Sequence, residues 1–251
     1  MSCEWRSWAC TDPGSVRSNN EDNFVARPEV GVWMVADGAG GHAHGEVASK
    51  MLADAIGATP ARAGSDLIAE IHAIASRTHD ALRSRAQAES AESGVRIMIA
   101  STIVVMLAQQ AHYACLWAGD SRIYRWRAGA AEQVTRDHSL VQELVDQGVI
   151  SPAQAEQHPH ANVVTRAIGA EGADPTLDKV TDRAEPGDRF LLCSDGLNKA
   201  LDDAAIARLI GARNPAQRLV DAALSVGARD NITAIVVEYA PQDDDQTLLR
   251  R

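Results

Sequence analysis

Apolar positions change their spacing several times along the chain, and each change marks an element. Residues 33–36 form a short apolar run halted by Asp37-Gly38, the pattern of a buried strand ending in a turn. From 46 to 56, Val47, Met51, Leu52, Ala55 and Ile56 recur at helical spacing. Leu67, Ile68, Ile71, Ile74, Ala75, Thr78 and Leu82 carry that period through a second, longer helix. The period then shortens. Residues 101–107 are rich in β-branched types, 113–117 are a further apolar run, and the polar link between them predicts a hairpin. Residues 122–127 alternate as a half-exposed strand, which Ala128-Gly129 turns toward 132–134. A helix over 139–147 is closed by Gly148, and 149–165, with two prolines, reads as irregular. Pro186-Gly187-Asp188 turns into a strand over 189–194; short helices at 203–210 and 215–225 precede a last strand over 232–239.

Antiparallel hairpins in series, with paired helices before and after, favour an α+β layered sandwich; a doubly wound parallel sheet alternates strand and helix more regularly. No repeat or linker divides the chain. One domain over 1–240 is expected, with 241–251 as a flexible acidic tail.

Charge narrows the function. Against 24 Lys and Arg stand 34 Asp and Glu, a net charge of −10, with no long basic tract. Duplex nucleic acid and anionic membranes are bound chiefly through Lys and Arg, so neither is expected as the main partner. The N-terminus has no apolar stretch long enough for a signal peptide, and no segment approaches the roughly 18 apolar residues of a membrane span, so a cytoplasmic protein is expected. Cys3, Cys10, Cys115 and Cys193 form no C-x-x-C and read as a reduced, mostly buried set. An acidic protein with an anionic substrate needs something other than side-chain charge to attract it.

The aspartates supply that. Asp37 and Asp195 each close an apolar strand and are each followed by glycine; Asp120 closes 116–119, and Asp230-Asn231 opens the last strand. A single Asp-Gly is ordinary turn chemistry. Four carboxylates at the ends of buried strands repel one another unless they bind cations, and oxygen ligands suit Mg²⁺ or Mn²⁺. Zinc fits less well, since the cysteines are scattered and the close histidine pairs are only His42/His44 and His158/His160. The glycine-rich stretch 38–45 lacks G-x-G-x-x-G spacing and any Gly-Lys-Ser/Thr, and Asp37 beside it would repel a pyrophosphate unless a metal intervened, so a dinucleotide site is not expected. Arg17 lies among acids; alone it is a surface ion pair, while beside a carboxylate–metal cluster its fork would hold phosphate oxygens.

The motifs, taken in order, complete the reading. They are Gly14-x-x-Arg17-x-x-Asn20-Glu21-Asp22, Ala36-Asp37-Gly38-x-Gly40-Gly41-His42, Gly45-Glu46-x-Ala48-Ser49, Gly119-Asp120-Ser121-Arg122-x-Tyr124, Thr135-x-Asp137-His138-Ser139, Asn162-x-x-Thr165-Arg166, Ser194-Asp195-Gly196-Leu197 and Asp230-Asn231-x-Thr233. This ordered set resembles the bacterial type 2C-like metal-dependent Ser/Thr protein phosphatases. The resemblance implies a four-layer α-β-β-α sandwich of two antiparallel sheets with a binuclear Mn²⁺ or Mg²⁺ centre at one end. It implies that Asp37 bridges the metals, with the Gly38 carbonyl, Asp195 and Asp230 as further ligands, and that Asp120 with Asp195 matches a weaker third site. Arg17 would hold the substrate phosphate, Glu21 and Asp22 orient metal-bound waters, Asn231 support them, and His42 match a family histidine near the site. Residues 148–166 would form a flap beside the cleft. The implied activity is hydrolysis of phosphoserine and phosphothreonine in proteins by a metal-bridged hydroxide, reversing a cognate Ser/Thr kinase, in some systems one that controls type VI secretion. The rival is a pseudophosphatase that binds phosphoproteins without turnover. Three departures stand out: Ala39 for a methionine, Ala100-Ser101-Thr102 for Gly-Thr-Thr, and Ala161 for a flap arginine.

Overall fold

Alternation decides which way each strand faces. In β3 (Val32–Ala39), Val32, Met34 and Ala36 join one cluster while Trp33 and Val35 join another. In β5 (Ile103–Gln109), Ile103, Val105 and Leu107 divide from Val104 and Met106 in the same way. Strands apolar on both faces must be covered on both faces, so these lie in the interior of a layered molecule.

The computed structural model describes residues 3–40, 44–62, 64–172 and 175–241. One sheet runs β1 (Cys3–Asp12), β11 (Ile232–Pro241), β10 (Arg189–Cys193), β7 (Arg122–Arg127), β8 (Ala130–Gln133). The other runs β2 (Asp22–Arg27), β3, β5, β6 (His112–Ala118), β9 (Asp178–Arg183), with the two-residue β4 (Ala100–Ser101) paired to β3. Every pairing is antiparallel. Helices α1 (His44–Gly57) and α2 (Gly64–Ser93) pack on the second sheet through Leu52, Ile56, Ile71 and Leu82. Helices α5 (Asp195–Ala200), α6 (Asp203–Ile210) and α7 (Pro215–Ser225) cover the first through Leu197, Ile206, Ile210 and Leu219. Between the sheets, Trp33, Phe190, Ile235 and Val237 interdigitate. The result is the expected α-β-β-α sandwich. Short helices α3 (Leu140–Asp146) and α4 (Pro152–Glu156) lie outside these layers.

Both sheets deliver their informative ends to one side. Asp37 lies near the end of β3, Asp120 just past β6, Asp195 just past β10, Asp230 just before β11, and Asp22 at the start of β2. Antiparallel pairing brings ends that are distant in sequence together.

Three strands and two short helices lie outside the sequence expectation. β1 alternates between half-buried and exposed positions and carries Glu4, Arg6, Ser7 and Thr11, so it has no apolar run; its partner is β11, with Cys3 opposite Pro241. β2 is only six residues long, and β9 is a polar edge strand, DKVTDR. α5 begins at the Asp195-Gly196 that reads locally as a turn. Within the segment expected to be irregular, a capping box forms α4: Ser151 Oγ accepts from Gln154 N while Gln154 Oε1 accepts from Ser151 N. The cysteines are free thiols, Cys115 and Cys193 buried and Cys3 and Cys10 half-buried. Among the described residues no helix is long and apolar enough to cross a membrane.

Candidate metal centre

A cleft of about 480 Å³ opens where these strand ends meet. Asp37, Asp120, Asp195, Asp230 and Glu21 line it, against the two cations Arg17 and Lys199. Each carboxylate has a separate local reason to be there. Asp37 is fixed through its backbone: its N–H donates to Thr102 Oγ1 at 3.1 Å, and its carbonyl accepts from Thr102 N at 2.8 Å and from Ser101 Oγ at 3.0 Å. Gly38 follows because no side chain fits; a Cβ there would stand 2.1 Å from the carbonyl oxygen of Gly45 at the start of α1. Asp120 is set by Gly119, whose φ of +117° lies where side chains rarely go.

Asp22 stands directly opposite Asp37 in the β2–β3 register. Its Oδ2 accepts from Ser194 Oγ at 2.6 Å and from Thr233 Oγ1 at 2.7 Å, while its buried Oδ1 has no hydrogen-bond partner. Asp230 Oδ1 accepts from Arg17 Nε at 2.9 Å, and its Oδ2 from the same guanidinium at 3.1 Å. Asn231 ties the 13–21 loop to β11, accepting from Glu21 N at 2.8 Å and donating to the carbonyls of Pro13 and Asn19. Asp195 pairs with Lys199 one helical turn on.

The electrostatics follow. Burial, opposed by the two hydroxyl hydrogen bonds and reinforced by Asp195 and Asp230, pushes the Asp22 carboxyl up to about 7. Burial and then Asp195 push Asp120 up to about 7, with Lys199 pulling the other way. Burial, followed by Asp22, Asp195, Asp120 and Asp230, holds Asp37 well above the usual carboxylate range. The protein by itself leaves this cluster under-neutralised. Hard cations with oxygen ligands would relieve both the repulsion and the orphaned Asp22 oxygen, which can accept from an ion's water. Among the described residues no three His, Cys, Asp or Glu side chains can hold an ion by themselves. Carbonyls and water must complete each shell, as Mg²⁺, which keeps several waters, prefers.

The structure therefore gathers Arg17, Glu21, Asp37, Gly38, Asp120, Asp195, Asp230 and Asn231 at one cleft, with Asp22 behind them. His42 lies outside the described residues, as does the tail beyond 241. Asn162 and Val164 of the 148–166 segment also face the cleft. Thr102, Ser194 and Thr233 fall within the sequence motifs, but no role was read there for their hydroxyls, which hold Asp37 and Asp22, and Lys199 lay outside the motifs altogether. An inward hydroxyl in a β-strand carries no local signal; Lys199 had one, its i+4 spacing from Asp195.

Residues 15–232 match the model of the protein phosphatase 2C family. The serine/threonine protein phosphatase PstP of Mycobacterium tuberculosis is 35% identical over 243 residues, covering 95% of this chain but 46% of that protein. This chain thus spans about half the length of that relative. The PstP catalytic domain, solved in complex with two manganese ions, superposes with a TM-score of 0.83 at 31% identity, over 96% of this chain and all of that one. The serine/threonine phosphatase stp of Listeria innocua is 33% identical, covering 91% of this chain and 93% of its own length. PppA, a key regulatory component of T6SS in Pseudomonas aeruginosa, superposes with a TM-score of 0.84 at 39% identity, over 95% of this chain and 99% of that one.

Proposed function

The chain belongs to the protein phosphatase 2C family, and from that membership and the carboxylate cleft we propose that it hydrolyses phosphoserine and phosphothreonine in proteins, using Mn²⁺ or Mg²⁺. The observation that carries the proposal is the convergence of Asp37, Asp120, Asp195 and Asp230, from the ends of four different strands, beside an Asp22 oxygen without a partner. Asp37, the Gly38 carbonyl, Asp195 and Asp230 would hold two ions. Bound there, the ions supply a nucleophilic hydroxide at neutral pH by lowering the pKa of water from about 15.7 toward 7.

The chain's own groups do the rest. Arg17, half-exposed on the rim of the cleft and paired with Asp230, presents a guanidinium fork that would hold the substrate's phosphate oxygens. Asp22 and Glu21 orient water through their carboxylate oxygens, and Asn231 keeps the loop that carries both Arg17 and Glu21 in register with Asp230. Divalent charge answers the puzzle of an acidic protein with an anionic substrate. None of the carboxylates is missing, as a non-catalytic phosphoprotein-binding module would allow. We place the substrates and their cognate Ser/Thr kinase in the cytoplasm, and the likeness to PppA supports a part in type VI secretion control.

The test is phosphate release from a phosphothreonine peptide with and without Mn²⁺. Wild type should turn over only with the metal, and Asp37→Asn and Asp195→Asn should each lose at least a hundredfold. Full activity in both variants overturns the assignment.

A further inference from the structure

Of the two cations that line the cleft, Arg17 and Lys199, the proposed chemistry leaves Lys199 without a task. It sits on α5 one turn beyond Asp195, and its ammonium donates to Asp195 Oδ2. Its side chain is 38% exposed, against 14% for Asp195. It lines both the metal cleft and the neighbouring groove under α3 and α4, and in both it stands beside Asp120, Asp195 and Asn162. Burial lowers the Lys199 pKa, but Asp195 first, then Asp120 and Asp37, more than reverse this, so the amine stays charged.

The other cations nearby are committed elsewhere. Arg17 grips Asp230 through both carboxylate oxygens, and Arg122 grips Asp137 at 2.7 and 3.0 Å. Positive charge at the Asp120–Asp195 end therefore comes from Lys199.

We propose that the Lys199 ammonium is a built-in cation for the Asp120–Asp195 end of the cluster, so that this end takes no divalent ion under conditions that fill the centre around Asp37. The inference rests on the phosphatase reading above and narrows it: this chain works with two ions. A divalent ion entering between Asp120 and Asp195 would have to displace a tethered amine and then sit beside its positive charge. The tether holds the amine within reach of Asp195 whatever the metal concentration.

Mn²⁺ stoichiometry and affinity, measured on the full chain by calorimetry and by the electron paramagnetic resonance of free Mn²⁺, test this. Wild type should bind two ions. Lys199→Ala should bind a third at least tenfold more tightly than wild type does, Lys199→Arg should behave as wild type, and Lys199→Ala/Asp120→Asn should lose the third ion again. Because the Lys199 side chain is partly exposed and absent from the core clusters, the Ala variant should keep the wild-type circular dichroism and melting profile. Two ions in both wild type and Lys199→Ala, or three in both with equal affinity, overturns the inference and leaves the phosphatase reading standing. No Mn²⁺ bound by wild type overturns both.

Discussion

Asp22 and Asp37 face each other as direct register partners across β2 and β3. Like charges directly opposite on adjacent strands destabilise a sheet, and here Asp22 is also buried while Asp37 is half-buried at the cleft. Ser194 and Thr233 saturate one oxygen of Asp22 and leave the other with nothing to accept from. The pair is a local conflict that a cation held at the cleft would resolve.

That conflict sets a pH dependence. Asp22 and Asp120 are raised from 3.8 to about 7, and Asp37 is raised well above its ordinary value. Between pH 4 and pH 7 the folded, metal-free protein therefore holds more protons on these groups than the unfolded chain does. Stability falls with rising pH wherever the folded state binds more protons. A tenfold difference in proton affinity between the folded and unfolded states corresponds to about 1.4 kcal/mol, so the loss across this window should be several kcal/mol. In EDTA, denaturant unfolding should give a less stable protein at pH 8 than at pH 5.5, and millimolar Mn²⁺ should reverse the order. A metal-free protein that grows more stable toward pH 8 would contradict the electrostatic account.

Gly38 offers a steric test of the same corner. A Cβ at Gly38 would meet the Gly45 carbonyl at 2.1 Å, backbone against backbone, with no flexible side chain to give way. Gly38→Ala should cost about 3 kcal/mol by forcing the start of α1 away from β3, and should weaken Mn²⁺ binding with it. Gly57 is the matched control: a Cβ there meets only Val25 Cγ2 at 3.8 Å. Gly57→Ala should be neutral or add up to about 1 kcal/mol, leaving metal binding unchanged. Equal effects at the two sites, read by chemical denaturation, would count against the close-approach argument.

At the far end of the first sheet, Arg127 grips the buried Asp188 through Nε at 2.7 Å and Nη2 at 2.6 Å. Asp188 is only 1% exposed and also accepts from Glu185 N, so it shapes the turn into β10. Arg127→Leu leaves that carboxylate without its cation and should lower stability by about 3 kcal/mol. Turnover per folded molecule should not change, because the strand runs its full length between this pair and the cleft. A fall in kcat without a fall in stability would show instead that the two ends communicate.

Much of the site was legible because its carboxylates follow apolar runs. Asp37 after 32–36 and Asp195 after 190–194 stand out against their strands, and their number argues for a cation before any fold is known. What holds them was not legible. Ser194 and Thr233 reach Asp22 across 172 and 211 residues of sequence, so their role exists only once β10, β11 and β2 are assembled. Strand β1 was hidden by its polar edge positions, and Lys199 by a helix whose first two residues read as a turn. Local periodicity finds elements that bury a whole face; it is blind to edge strands and to polar partners supplied from a distance.

His138 is another residue of that second kind, and it yields a sharper test. Its Nδ1 accepts from the Gly119 N–H at 3.1 Å, and its Nε2 meets Asp178 Oδ2 at 3.1 Å. Arg166 donates to the other Asp178 oxygen at 2.6 Å, and the His138 carbonyl accepts from Thr165 N at 2.8 Å. Burial pushes the His138 pKa down, which favours a neutral ring with its proton on Nε2, facing Asp178. The imidazole thus joins the residue before Asp120 to the end of the 148–166 segment, and it stacks on Trp117 at an interplanar angle of 14°. The two nitrogens can be removed separately. Asn places an acceptor near the Nδ1 position and nothing at Nε2, whereas Gln reaches toward Asp178 and leaves Gly119 without an acceptor. Residue-resolved hydrogen exchange should show the Gly119 amide opening at least tenfold faster in His138→Gln than in His138→Asn. The amides near Thr165 and Arg166 should respond more strongly in His138→Asn, which severs the Asp178 link. Identical exchange patterns in the two variants would mean that His138 acts only as a packed ring against Trp117.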